Sequence, residues 1–383
     1  LRYAKLFAFA VHPRKDTQNY SVPKPLLMKH ITFLLSFSFV GLILFLASCS
    51  PSPTPTTSSG AWNKLLPFPG DPRANAVSFV INDIAYVGTG YNYQQNLRLK
   101  DFWKYDPSNE LWIRVSDFPG SGRSRAVAFS ANGKGYVGTG SSDGVTYLQD
   151  FYEFDPTVGQ SGSWTKIADI PSARAGSIAF TVNARSFVGA GSLSNGSNSS
   201  DLWEYVAGTN TWTQRTGGIK HQGGFAMVID DIAYIGGGTN NGIPVTEFYK
   251  FDVAQIDKNQ NPWSQLSGLT GRDLNGNTVS QPTPRELAST FSISGKGYLV
   301  AGNNGNSFFS DTWQYDPSKD AWTKYFSFAD NVPSKGLARQ GALGFALTTS
   351  SGTYGYIATG GASGNGFDEV WKFIPTGIEP DNK

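Results

Sequence analysis

Cysteine is nearly absent. It occurs once in 383 residues, at Cys49, alongside two methionines and three histidines. A single thiol cannot form an internal disulfide. Charge is scarce as well, at 16% of residues, and its slightly basic total comes from the first 48 positions. From residue 49 onward there are 25 basic and 28 acidic side chains, a net charge of −3, so nucleic acid is not an expected partner. Asn-Gly stretches such as Asn303 to Asn306 lack the dense carboxylates of a strong calcium site, and no metal or cofactor is expected. What is plentiful is glycine, at 44 residues, and aromatic side chains, at 14%. That balance suits tight β-turns around a packed interior and argues against disorder.

The N-terminal part does not belong to the fold. Residues 1–27 precede Met28 and read as an upstream extension of the frame. Met28-Lys29-His30 is a short basic start, and Ile31 to Ala47 is almost wholly apolar. The run ends in Leu46-Ala47-Ser48-Cys49, which resembles the lipobox of bacterial lipoproteins. The resemblance implies a signal peptide over residues 28–48 and a lipid on Cys49. It also implies membrane attachment in a bacterial cell envelope. An ordinary transmembrane anchor is the other reading of the run. Residues 49–60 are rich in Ser, Pro and Thr, cannot bury a core, and read as an extended tether. No acidic run follows Cys49, so the outer-membrane and periplasmic faces both stay open.

Beyond the tether one cassette returns six times. Its second copy runs from Arg123 through Ala126-Val127-Ala128-Phe129, Gly135-Tyr136-Val137-Gly138-Thr139-Gly140 and Phe151 to Pro156, and ends at Trp164. These are four short strand signals separated by turn signals. Trp62, Trp112, Trp164, Trp212, Trp263 and Trp322 mark the copies, at spacings of 50, 52, 48, 51 and 59. Trp103, Trp203, Trp313 and Trp371 sit in the preceding strand, where Tyr152 and Tyr249 fill the other two copies. A period near fifty residues points to a propeller of four-stranded blades. Rings at fixed points fill the wedge between stacked, twisted sheets. A glycine-ended second strand, preceded by Tyr86, Tyr136, Phe187, Tyr234, Tyr298 or Tyr356, implies close approach by a neighbouring ring or an unusual backbone.

The pattern resembles the kelch repeat: an arginine-led inner strand, an aromatic with a glycine pair, an aromatic-Asp-Pro strand and a terminal Trp. It covers Trp62 to Ile374, with departures such as Val206-Ala207 for Asp-Pro and Ala301 for a glycine. The expected fold is therefore all-β, a six-bladed propeller with four strands per blade over residues 61–375. The strand at Trp62 stands alone before any inner strand, and the last copy lacks a Trp strand. Pairing the first with the last closes the circle and leaves no open edge. Residues 376–383 are a tail, and a monomer is expected.

Arg73, Arg123, Arg174 and Arg285 each lie 13 residues before the glycine-strand aromatic, as does His221, while Arg339 lies 17 before Tyr356. All six enter the inner strand and are expected to ring one mouth of the channel. The loops joining second and third strands open at the same end and carry Tyr91, Tyr93, Tyr147 and Phe308. The insertion from Ser264 to Pro284 enters that face too. Unpaired cations ~10 Å apart repel by about 1–2 kcal/mol and would favour a carboxylate. The expected ligand is a glycan or an acidic peptide or protein segment. The structural alternative has each arginine pack its stem and donate to carbonyls of the adjoining blade.

Catalysis has little support. The copper radical oxidases among kelch propellers need a cysteine and histidines that this chain does not offer. The repeated Ser-x-Asp-x-Gly box of sialidase propellers is absent. A kelch-type sugar-acid epimerase, acting on an N-acetylneuraminate-like sugar, would need an acid/base at the mouth. Glu286 is the obvious carboxylate there, though a Glu beside an Arg also reads as a solvated turn residue. A scaffold within an envelope complex is the third reading.

Overall fold

Each innermost strand alternates. In Val77–Ile81, Val77, Phe79 and Ile81 are buried while Ser78 and Val80 are half-exposed, as a strand with two unlike faces requires. The computed structural model describes residues 60–272, 275–325, 327 and 338–375. The lipobox, Cys49, the tether and the tail lie outside the described residues.

Six four-stranded antiparallel sheets follow one another. Blade 1 comprises Val77–Ile81, Ile84–Gly88, Phe102–Asp106 and Leu111–Val115. Blade 2 comprises Val127–Ala131, Lys134–Gly138, Phe151–Asp155 and Ser163–Ile167. Blade 3 comprises Ile178–Val182, Arg185–Gly189, Leu202–Val206 and Thr211–Arg215. Blade 4 comprises Phe225–Ile229, Ile232–Gly236, Phe248–Phe251 and Trp263–Gln265. Blade 5 comprises Ser289–Ile293, Lys296–Val300, Thr312–Asp316 and Ala321–Tyr325. Blade 6 comprises Leu343–Thr349, Gly352–Ala358 and Val370–Ile374, and takes Ala61–Lys64 as its outer strand. There Trp62 pairs with Phe373 and Lys64 with Trp371, so the first strand closes the last blade.

The core lies between blades. The glycine-strand aromatic of each blade meets the third-strand aromatic of the next. Ring centroids are 5.3 Å apart for Tyr86–Phe154, 5.5 Å for Tyr136–Tyr205 and 5.1 Å for Phe187–Phe251. They are 5.3 Å apart for Tyr234–Tyr315, 5.1 Å for Tyr298–Phe373 and 5.7 Å for Tyr356–Tyr105. Outer tryptophans tie blades at the rim: the Trp164 indole donates to the Ser116 carbonyl at 2.9 Å, and that of Trp212 to Ala168 at 2.9 Å. The glycine pairs have two separate causes. A Cβ at Gly138 would lie 2.3 Å from the Phe151 ring. Gly140 has φ +91° and donates its amide to the Arg174 carbonyl of the next blade at 2.8 Å. The Ser264–Pro284 insertion anchors through Leu269, which packs with Phe248, Trp313 and Trp322. None of its described residues lines the axial cavities.

Candidate functional site at the axial rim

Two residues past each arginine or histidine, the chain turns left-handed. Asn75, Arg125, Gly176, Gly223, Leu287 and Gly341 have φ of 55°, 56°, 65°, 64°, 53° and 58°. Each donates its amide to the carbonyl of its counterpart in the preceding blade, at 2.7–3.0 Å, and Asn75 donates to Gly341. The six bonds form one closed belt around the axis. The three side chains that the belt carries lean over its glycines. A Cβ at Gly176 would lie 2.8 Å from Arg125 Nη2, and one at Gly341 would lie 2.3 Å from Asn75 Oδ1.

The arginines expected at the mouth are not free cations. Arg73, Arg123, Arg174, Arg285 and Arg339 are all 0% exposed. Each grips a carboxylate just ahead of its own blade's third strand. Arg73 holds Asp101 with two bonds of 2.8 Å, and Arg123 holds Asp150 at 2.7 and 2.8 Å. Arg174 holds Asp201 at 2.6 and 2.7 Å, Arg285 holds Asp311 at 2.5 and 3.0 Å, and Arg339 bonds Glu369. Nη1 also donates to a carbonyl of the same blade, as from Arg123 to Thr139 at 3.0 Å. Four of the guanidiniums lie over Phe68, Phe118, Phe309 and Phe367 at 4.1–4.8 Å. A buried fork needs partners, and in Arg73, Arg123, Arg174 and Arg285 every guanidinium nitrogen donates at least one hydrogen bond. The structural alternative was therefore the nearer one, except that the partners lie within the arginine's own blade.

The tryptophans of the third strand complete these locks. Indole N–H groups of Trp103, Trp203 and Trp313 donate to Asp101, Asp201 and Asp311 at 2.7–2.8 Å. Burial alone would raise the pKa of Asp101, Asp201, Asp311 and Glu369. The arginine hydrogen bond and charge outweigh it, and all four are held below the usual range. For Asp101, Asp201 and Asp311 the indole bond adds to that pull, and for Glu369 the Lys64 hydrogen bond is the larger pull, ahead of that of Arg339. His221 is also fully buried, with Nδ1 2.6 Å from the Gly237 carbonyl, and burial pushes its pKa down.

The exposed chemistry of the rim lies one and two residues beyond. Arg125 is half-buried, and Nη2 donates to Gln222 Oε1 at 2.6 Å, reaching from blade 2 across blade 3 to blade 4. No carboxylate among the described residues forms an ion pair with it. Glu286 accepts from the Thr239 hydroxyl at 3.1 Å, and its Oε2 lies 3.2 Å from where a Gly223 Cβ would be. Gln340 accepts from the Asn303 amide. Tyr91 meets Tyr93 edge-on at 4.8 Å, under the guanidinium of Arg98 at 4.6 Å. Tyr147 and Phe308 are half-buried and pair by backbone with Ser141 and Asn303, in the rim loops of blades 2 and 5. Below the rim the axial cavities measure about 170 and 190 Å³ and are lined largely by small residues such as Ala126, Ser177, Gly224 and Ala288. No cluster among the described residues suits a metal. Arg125 is hidden in the sequence because no other copy carries a cation at its position, and Gln222 and Gln340 because the position after the arginine or histidine holds Ala, Ser or Glu in the other copies. A cation found in only one copy was the signal available.

A six-bladed ring of arginine-locked, four-stranded sheets is the architecture of a kelch propeller. The chain matches the KLHDC2/KLHL20/DRC7 Kelch-repeats domain over residues 76–275 and the Kelch motif over residues 284–325, and it belongs to the kelch-repeat family. No curated protein sequence matches it significantly. Among solved structures it is similar to YjhT, with 17% identity and a TM-score of 0.63, over 83% of this chain and 98% of that one. At that identity the likeness is one of fold.

Proposed function

We propose that this is a lipid-anchored cell-envelope kelch propeller that binds an anionic group at the axial rim, carried by a glycan or by an acidic peptide or protein segment. The observation that carries the reading is the Arg125 guanidinium, which faces the rim cavity with only a neutral amide as side-chain partner. A carboxylate can displace Gln222 and take a forked pair. Tyr91 and Tyr93 offer ring faces, and the half-buried Gln222 and Gln340 offer amides. The test is a glycan and acidic-peptide array with the purified protein. A ligand should be found whose affinity drops at least tenfold in Arg125→Ala. Equal binding by the variant overturns the site. Incorporation of labelled palmitate, lost in Cys49→Ala, tests the anchor.

The sugar-acid epimerase is the second reading, favoured by one observation. Arg125 and Glu286 lean over adjacent belt positions, Gly176 and Gly223, which sets a carboxylate clamp near an acid/base group. Turnover of an N-acetylneuraminate-like sugar, abolished in Glu286→Gln, is the result it requires. A scaffold role would instead show as co-purification with envelope partners that survives both substitutions.

A further inference from the structure

One blade lacks the lock. In five blades a guanidinium meets the carboxylate ahead of the third strand. In blade 4 that carboxylate is Glu247, and the residue facing it in the pattern is His221. The imidazole takes the Gly237 carbonyl, the counterpart of the one that arginine Nη1 takes elsewhere, and goes no further. Glutamate is long enough for the lock, because Glu369 forms it in blade 6. The vacancy therefore comes from the histidine. Glu247 is exposed, makes no ion pair among the described residues, and accepts only the Thr246 amide, at 3.2 Å.

Glu247 opens onto a cleft of about 460 Å³, a volume in the range of ligand sites. Ile219, Ile243, Pro244 and Tyr249 supply apolar and aromatic wall, and Ile243 is 70% exposed. Four other blades show what this position favours: a guanidinium paired at its edge with carboxylate while its face covers a phenylalanine ring. The blade-4 cleft offers the carboxylate, an aromatic ring and an open approach, but no cation of the chain in the lock. Lys220 also lines it and opposes an incoming positive charge.

We propose that the blade-4 cleft binds an arginine side chain of a partner peptide segment, which occupies in trans the ion pair that His221 leaves open. The fork geometry favours guanidinium over ammonium. The cleft shares no lining residue with the axial cavities and does not depend on the reading given for Arg125.

The test uses the full chain and two probes, an acetylated Ile-Arg-Ile amide and its citrulline counterpart, titrated by calorimetry. The arginine peptide should bind, and the citrulline peptide should bind at least tenfold more weakly. Glu247→Gln should lose the same factor without loss of stability, since a glutamine oxygen can still accept the Thr246 amide. His221→Arg should draw Glu247 inward, raise stability and weaken the peptide by a similar factor. Lys220→Ala should tighten it, and Arg125→Ala should leave it unchanged. Absence of binding, equal binding of the citrulline peptide, or an unaltered Glu247→Gln variant would each overturn the proposal. If His221→Arg does not fold, the Glu247→Gln comparison decides alone.

Discussion

The amide of Asn75 donates to the carbonyl of Gly341 at 2.8 Å and joins the first blade to the last at the axis. Far from the axis, Trp62 pairs with Phe373 and joins the same chain ends through the sheet. Lys64 connects this outer clasp to the inner lock, because its ammonium bonds Glu369 at 2.7 Å and Glu369 also accepts from Arg339. Closure is thus made twice, and neither contact is near in sequence.

The clasp should be needed for a monomer. Replacing residues 61–64 with a Gly-Ser linker strips the outer strand from Val370–Ile374 and leaves a bare edge beside Trp371 and Phe373. Such an edge recruits other strands. Size-exclusion chromatography with light scattering should show self-association, together with a lower melting temperature. A monomer with unchanged melting would mean that the belt alone closes the propeller.

Acid should loosen the protein in two steps. Burial holds His221 below its ordinary value, so the unfolded chain takes up this proton first and stability falls as pH drops below about 6.5. The second step belongs to Asp101, Asp201, Asp311 and Glu369. Their folded values are depressed, so their contribution is complete above about pH 4 and is lost as pH falls through the lower folded values. Urea unfolding between pH 3 and 8 should show both steps in the native chain and only the second in His221→Arg.

Among the described residues two buried tyrosine hydroxyls, those of Tyr105 and Tyr356, lack a protein partner, and the first can be given one. Tyr205 donates to Asn210 at 3.0 Å and Tyr315 to Asp320 at 2.8 Å, five residues on in each case. Tyr105 has Glu110 at that place, its buried hydroxyl finds no protein partner, and Glu110 holds φ at 56°. Asparagine accepts that backbone conformation more readily. Glu110→Asn should add about 1 kcal/mol of stability, read from chemical denaturation. A loss would show that the Glu110–Lys372 contact, at 3.8 Å, matters more.

The repeat made the architecture legible. Tryptophans at even spacing fixed the blade count, and the unpaired Trp62 strand fixed the closure, because every strand in a ring must have a neighbour. The arginines were legible as positions and illegible as chemistry. Their partners, Asp101, Asp150, Asp201, Asp311 and Glu369, stand before the third strand in the same copies, yet only folding brings the two together. Repetition was itself the clue to a structural part, since a side chain present in every blade serves the blade. Arg125 was hidden for the converse reason. Nothing in the period predicts a residue that occurs in one copy.

The central claim is that charge available to a ligand lies at Arg125, two residues beyond the buried Arg123. Stability and ligand affinity of Arg123→Ala and Arg125→Ala, measured side by side, test it most directly. Arg123→Ala empties a fully buried site beside the half-buried Asp150 and should cost about 3 kcal/mol of folding free energy. Arg125→Ala should fold with native-like stability and lose the array ligand. A stable Arg123→Ala that no longer binds, beside an Arg125→Ala that binds normally, would contradict the account.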